Sequence, residues 1–336
     1  MNRIAQTVFL ITVATAAHAA APSTVRFVAF GDAGAATPAQ FAVAQAMADV
    51  CKSRGCDFAV VLGDNFYPDG VHSAEDAQFE TKFEAPYEPL KIPFYVALGN
   101  HDNGSDAAHN SYGDFEVAYS QRRDRQSDKW HMPARYYSFS KGPVDLFALD
   151  SAPLAPYVDD PDPKWNAETY GAAQLAWLLK ALGESKAPWK IAFAHHPYVS
   201  DGGHGSAGHY RVHSSSSQYA DGKFYRDFLE KSVCAAGADL MLAGHDHDLE
   251  WLKPVRACGR TEFVTSGAGG ASLSRFFNNE NPVFWQQSGR YGFFWFEVTP
   301  DELIGVAFTL DEKNAPKAAF ERKITRSAVR DRSAGR

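Results

Sequence analysis

The 336-residue chain is short of several things, and each shortage excludes a class of protein. It lacks excess positive charge: 33 Lys and Arg stand against 40 Asp and Glu, a formal net charge of −7, which argues against nucleic acid as a partner. Beyond its first twenty residues it has no apolar run long enough to cross a bilayer as a helix, so no membrane association is expected once that segment is removed. Nothing in it has the composition of a coiled coil, a collagen or a disordered chain; 45% apolar and 22% charged residues are those of a folded globular protein. It has four cysteines only, Cys51, Cys56, Cys234 and Cys258, and they do not form the two close pairs of a zinc site. No shift of composition marks a linker, so one domain is expected over residues 24–325.

What is present starts with an export signal. Arg3 precedes a short apolar stretch with Phe9, Leu10, Ile11 and Val13, and Ala17-His18-Ala19 fits a small-x-small cleavage site. Residues 1–19 therefore read as a signal peptide, and the mature protein as periplasmic or secreted. In such a compartment an even cysteine count reads as two disulfides. Three connectivities are open, and the sequence-local pairs Cys51–Cys56 and Cys234–Cys258 are favoured. At the other end, residues 322–336 carry six basic side chains and one acid and read as a solvated tail, with residues 326–336 as its flexible basic end.

Between these ends, short apolar runs alternate with helical patterns. Strands are expected at Val25–Phe30, Phe58–Leu62, 93–98, 136–139, 144–149, 190–194, Leu240–Ala243, 262–265, 291–298 and 303–309. Thr37-Pro38 opens a helix that Gly55 closes, and further helices are expected around 175–182 and 224–233. This alternation predicts an α/β architecture. Residues 200–222, rich in Gly, Ser and His, are expected to form a mobile loop beside the site, with His209 and His213 in solvent.

The buried runs share one feature. Five of them stop abruptly on Asp, Asn or His: Asp32, Asp64, Asn100, His195, and the His245/His247 pair. In open α/β sheets, ligands bind just beyond the carboxyl ends of the strands. A single Asp after a strand is usually a turn former, and a single His is usually a satisfied polar group. Five such ends converging are another matter. Carboxylate, amide and imidazole donors together suit transition metals rather than calcium. His245 and His247, one residue apart in extended chain, point the same way and can each serve one of two adjacent ions.

The blocks Gly31-Asp32-Ala33-Gly34, Gly63-Asp64-Asn65-Phe66-Tyr67, Gly99-Asn100-His101-Asp102, His195 and Gly244-His245-Asp246-His247 resemble the metal-binding blocks of the metallophosphoesterases. Tyr67, three residues after Asp64, narrows the resemblance to the purple acid phosphatases in their small, single-domain form. The similarity runs from about residue 26 to about residue 269. It implies a four-layer αββα sandwich of the calcineurin-like type and hydrolysis of phosphate monoesters, with a metal-bound hydroxide attacking phosphorus in line. It implies a ferric site of Asp32, Tyr67 and His247, and a divalent site (Fe(II), Zn or Mn) of Asn100, His195 and His245, with Asp64 bridging the two. His195 rather than His196 is taken as the ligand because it holds the family's position before the proline, with His204 nine residues on. His101 and His204 are then the candidates to bind phosphate oxygens or protonate the leaving alkoxide of a small phosphorylated substrate. One departure is Ala33, where the family usually carries a bulkier residue.

Two other readings compete. A phosphodiesterase of the same fold is disfavoured because those relatives carry a histidine where Gly34 stands. A non-catalytic iron-binding or redox envelope protein is disfavoured because every ligand position of the resemblance is filled.

Overall fold

The structure, a computed structural model, describes residues 24–105, 108–208 and 216–326. The expected signal peptide, His209, His213 and residues 327–336 lie outside the described residues.

Among the described residues, fourteen strands make two mixed seven-stranded sheets. The first contains β1 (Val25–Phe30), β2 (Phe58–Leu62), β3 (Phe94–Ala97), β4 (Trp130–His131), β12 (Gly292–Val298), β13 (Glu302–Leu310) and β14 (Pro316–Thr325), in the order β14-β13-β12-β1-β2-β3-β4. The second contains β5 (Tyr137–Lys141), β6 (Val144–Ala148), β7 (Trp189–Phe193), β8 (Leu240–Ala243), β9 (Leu249–Leu252), β10 (Glu262–Ser266) and β11 (Val283–Gln287), in the order β11-β9-β10-β8-β7-β6-β5. Strands β1 to β4 run parallel, as do β6, β7, β8 and β10. Their carboxyl ends are where the expected donors stand.

Period-two alternation explains the layering. In β1 and β2, Phe27 and Phe58 stack at 4.9 Å and face the second sheet, where Phe139 of β5 lies 5.8 Å from Phe58. The alternate residues Val28 and Phe30 join Val43, Met47 and Val50 of α1 (Pro38–Arg54) in the same core. On the outer face of the second sheet, Phe147, Ala192, Met241 and Phe263 pack with Leu178 and Leu182 of α3 (Ala167–Glu184) and with Tyr225 and Leu229 of α4 (Lys223–Leu229). The four-layer αββα sandwich is thus built from helix–sheet–sheet–helix packing. A short helix α2 (Gly113–Gln121) flanks β4.

Helix α1 starts and stops as its sequence predicts. Thr37 Oγ1 accepts from the Gln40 amide at 3.2 Å, Pro38 takes the first turn, and Gly55 adopts φ 85° at the end. Both favoured disulfides form, Cys51–Cys56 tying the end of α1 to the turn before β2, and Cys234–Cys258 joining the end of the α4 segment to the turn before β10.

Two expectations are corrected. The basic end is not solvated from residue 322: Arg322 and Lys323 belong to β14, and Arg326 pairs with Asp239 at 3.1 Å. Only one face of β14 shows the pattern of a strand, with Phe320 and Ile324 inward and Lys317, Glu321 and Lys323 outward. Nor is the 200–222 loop free throughout. Ser200 is buried with its hydroxyl on Glu250 at 2.7 Å, and Asp201 accepts from the Glu280 and Asn281 amides at 2.9 and 2.8 Å.

Candidate metal centre

Five parallel strands deliver the donors by stopping at the same edge. Asp32 follows β1, Asp64 follows β2, Asn100 follows β3, His195 follows β7, and His245 with His247 follows β8. Asp32, Asp64 and His245 adopt φ of 57°, 54° and 71°, the left-handed region that costs a residue with a side chain about 1–3 kcal/mol. Each follows a glycine, and two glycines are needed for the approach itself. A Cβ at Gly99 would stand 2.1 Å from Asp64 Oδ1, and one at Gly244 would stand 2.5 Å from Asp32 Oδ2.

The side chains gather in two sets joined by Asp64. Its Oδ2 lies 2.8 Å from Tyr67 Oη, and its Oδ1 lies 3.4 Å from His195 Nε2. On the Tyr67 side, Oη also stands 3.3 Å from Asp32 Oδ1 and 3.2 Å from His247 Nε2. On the His195 side, Nε2 stands 3.0 Å from Asn100 Oδ1 and 3.1 Å from His245 Nδ1. Asp32, Asp64 and His195 each offer an atom within 4.8 Å of the others and could hold an ion. His196, beside His195, turns away and bonds Ser151 Oγ at 2.8 Å.

The second set fits a cation by its lone pairs. His195 Nδ1 sits 2.9 Å from the Leu62 carbonyl, which only an N–H can satisfy, so Nε2 carries the lone pair. Asn100 Nδ2 donates to the Ser105 carbonyl at 2.6 Å, which turns Oδ1 inward. A bare nitrogen and a carbonyl oxygen then face each other at 3.0 Å, with a carboxylate oxygen alongside. Acceptors crowd together in this way around a positive ion. On the other side His247 Nδ1 meets Ser272 Oγ at 2.9 Å, leaving Nε2 toward Tyr67 and Asp32.

Charges in the protein alone are divided unevenly. Burial would raise Asp64, but His195 and His101 bring its carboxyl down to about 2. Burial raises Asp32 and, with Asp64 and Asp32 nearby, pushes the Tyr67 phenol well above its ordinary range. Burial works against the His247 cation, yet Asp32 lifts that ring to about 9. Burial and the neighbouring imidazoles hold His245 well below its ordinary value, so it stands neutral with a lone pair to offer. A bound cation reverses the sign at Tyr67 and displaces the proton of His247.

The shell behind these residues is acidic and buried. Asp102 accepts from the Asn65, Phe66 and Gly99 amides at 2.8, 3.0 and 2.7 Å, which holds the two turns carrying Asp64 and Asn100 together. Asp246, between the two histidines, accepts from the His204 amide at 2.7 Å and so fixes the start of the 200–208 segment. His101 and His204 both line a cavity of about 590 Å³ with Asp64, Tyr67, Asn100 and His245. Tyr157 and Ser272 also line it; they open the stretches 157–170 and 272–288, where the sequence places pocket selectivity without singling out a residue. Both sit on irregular connections, where no periodicity flags a residue.

An αββα sandwich with this cluster at the strand ends defines a metallophosphoesterase. The calcineurin-like phosphoesterase family model matches residues 25–249, and the chain belongs to that family, among relatives that are purple and tartrate-resistant acid phosphatases. Tartrate-resistant acid phosphatase type 5 of Rattus norvegicus is 33% identical over 274 residues, 75% of each chain. Purple acid phosphatase 3 of Arabidopsis thaliana is 31% identical over 257 residues, 73% of this chain and 63% of that one. Among solved structures, Plasmodium GAP50, described as the anchor in the inner membrane complex, superposes with a TM-score of 0.67 at 20% identity, covering 90% of this chain and 89% of its own. The purple acid phosphatase PPD1 of yellow lupin gives 0.60 at 18%, covering 90% and 54%. At such identities the structures speak for the fold alone. The sequence relatives carry the assignment as an acid phosphatase, a family that works with a dinuclear metal centre.

Proposed function

We propose that the chain hydrolyses phosphate monoesters, with Fe(III) held by Asp32, Tyr67 and His247, a divalent ion (Fe(II), Zn or Mn) held by Asn100, His195 and His245, and Asp64 shared. The observation that carries this reading is the split of Asp64, one oxygen toward Tyr67 and the other toward His195. The two donor sets differ as the two ions would. Asp32 and a phenolate are hard anionic donors suited to a trivalent ion, whereas an amide oxygen and two neutral imidazoles suit a divalent one. Such a pair supplies Lewis acidity and a nucleophilic water at acidic pH.

The chain's own residues supply the rest. The ions outweigh the three anionic side chains, so the centre attracts phosphate in a protein of net negative charge. His101 Nδ1 donates to the Pro68 carbonyl, which turns Nε2 toward the cavity, where the imidazolium form can donate to a phosphate or ester oxygen. His204 lines the same cavity and takes the matching role. The two disulfides suit an oxidising compartment, and the proposed location is the periplasm or the exterior. The test is steady-state hydrolysis of p-nitrophenyl phosphate against bis-p-nitrophenyl phosphate by iron–zinc protein at acidic pH. Preferential turnover of the monoester supports the reading, and preference for the diester replaces it with a phosphodiesterase.

A further inference from the structure

Tyr157 lies on the connection between β6 and α3, and its backbone is anchored by the segment that leads into α4. Its carbonyl accepts from the Ser216 and Ser217 amides at 3.1 and 3.2 Å, and Ser217 Oγ bonds Asp159 at 2.5 Å. This fixes the root of the ring. At its tip, Oη stands 3.3 Å from His245 Nε2 and 3.4 Å from His204 Nδ1. The cavity thus holds two tyrosines in different company. Tyr67 touches the carboxylates of Asp32 and Asp64, whereas the Tyr157 hydroxyl meets two imidazoles.

We propose that Tyr157 is a positioning residue whose single hydroxyl sets the tautomers of two histidines, His245 in the donor cluster and His204 on the cavity wall. The inference rests on the dinuclear phosphomonoesterase reading.

A hydroxyl has one proton to donate and lone pairs with which to accept, so between two imidazoles it donates to one and accepts from the other. The donor cluster decides which. His245 Nδ1 faces His195 Nε2 at 3.1 Å, inside the set that includes Asn100 and Asp64. To serve as a donor atom there, Nδ1 must be bare, and the ring proton then resides on Nε2 and is donated to Tyr157 Oη. The hydroxyl proton goes in turn to His204 Nδ1. In neutral His204 the ring proton then resides on Nε2. Reversing the chain would aim a proton from His245 into the donor set and strip His204 Nε2 of its hydrogen.

A partner of this kind behind a metal-ligating histidine commonly contributes about 10–100-fold to metal affinity or activity. The test uses Tyr157→Phe, which keeps the ring and removes Oη, beside His204→Ala and the double variant. The first readout needs no turnover. Zinc affinity, measured by competition with a chromogenic chelator on iron-loaded protein, should fall about 10–100-fold in Tyr157→Phe and stay at the wild-type value in His204→Ala. The second is kcat/KM for p-nitrophenyl phosphate at saturating zinc. Tyr157→Phe should lose about tenfold, and adding it to His204→Ala should cost nothing further, because both act through one ring. A role in packing alone would lower the thermal midpoint and leave zinc affinity untouched. Unchanged zinc affinity in Tyr157→Phe, or penalties that add in the double variant, overturns the proposal. If the wild-type holoprotein turns over no monoester, the phosphomonoesterase reading fails, and the zinc measurement still decides whether Tyr157 orients His245.

Discussion

The Tyr67 hydroxyl donates to Asp64 Oδ2 at 2.8 Å, so in the protein alone the phenol holds its proton against the carboxylate proposed to bridge two ions. Burial and the two carboxylates keep that proton in place. A ferric ion reverses the balance and takes the phenolate. Iron-loaded wild-type protein should therefore show a broad charge-transfer band in the visible range, and Tyr67→Phe with the same iron content should not. The check is an absorption spectrum with metal analysis. A band that survives in Tyr67→Phe would remove the phenolate from the centre, while colourless wild-type protein with two zinc or manganese ions would remove the ferric assignment.

Asp64 itself predicts a larger loss. Each of its oxygens faces a different donor set, so Asp64→Ala weakens both sites at once. Activity should drop about a thousandfold, roughly 4 kcal/mol of transition-state stabilisation, and metal content should fall below two ions per chain. Asn100→Ala should lose the divalent ion alone and keep the colour. Equal loss of both ions in the two variants would contradict a shared carboxylate.

How much of this was legible follows from what periodicity can carry. The buried runs at Val25–Phe30, Phe58–Leu62 and Leu240–Ala243 are continuous and apolar, so both their extent and the polar residues that end them stand out. The edge strands are different. β11 reads VFWQQ with every residue half-buried, and β14 exposes Lys317, Ala318 and Ala319 in a row, so neither announces itself. Within the site, Asp32, Asp64, Asn100 and His245 stand out in the sequence because each follows a glycine at a strand end. The stretches that begin at Tyr157 and Ser272 were legible as pocket walls, but the parts these two residues play were not, because they depend on where loops meet. The acids behind the centre, Asp102 and Asp246, sit inside the visible blocks, but only the structure shows that they bond backbone amides.

A buried acid pair sets a pH dependence. Glu116 is fully buried, hydrogen-bonded with Asn65 at 3.1 Å, and burial followed by the nearby Asp102 pushes its carboxyl well above the ordinary 4.5. The folded state therefore binds a proton that the unfolded state releases above pH 4.5, so this group weakens the fold as pH rises past that value and up to its own raised pKa. Glu116→Gln keeps the shape and the Asn65 bond without the charge. It should raise the thermal midpoint at neutral pH by about 2–4 °C, roughly 1 kcal/mol in a domain of this size, and the gain should vanish toward pH 4. A gain that is the same at both pH values would mean that Glu116 is not a titrating burden.

The end of the chain supplies a stability test separate from the chemistry. Arg322 of β14 reaches from the first sheet to Glu262 at the start of β10 in the second, with two bonds of 2.6 Å, and its guanidinium lies 3.4 Å from the Phe284 ring centroid. Glu262 is 1% exposed and also accepts from Trp251 Nε1 at 2.8 Å. Removing Arg322 takes two charge-assisted bonds from a buried carboxylate. The general cost of orphaning one member of a buried pair is about 3–5 kcal/mol, and the 17% exposure of the Arg322 side chain lets water return and places the expectation at the lower end. Arg322→Ala should lower the denaturation midpoint accordingly, and Arg322→Met with Glu262→Gln should recover most of the loss, because no charge is then stranded. Glu262 begins its strand, whereas the metal centre gathers at the carboxyl ends of the parallel strands, so kcat measured well below the midpoint should not change. Full stability in Arg322→Ala would return this segment to the solvated tail that its composition alone predicts.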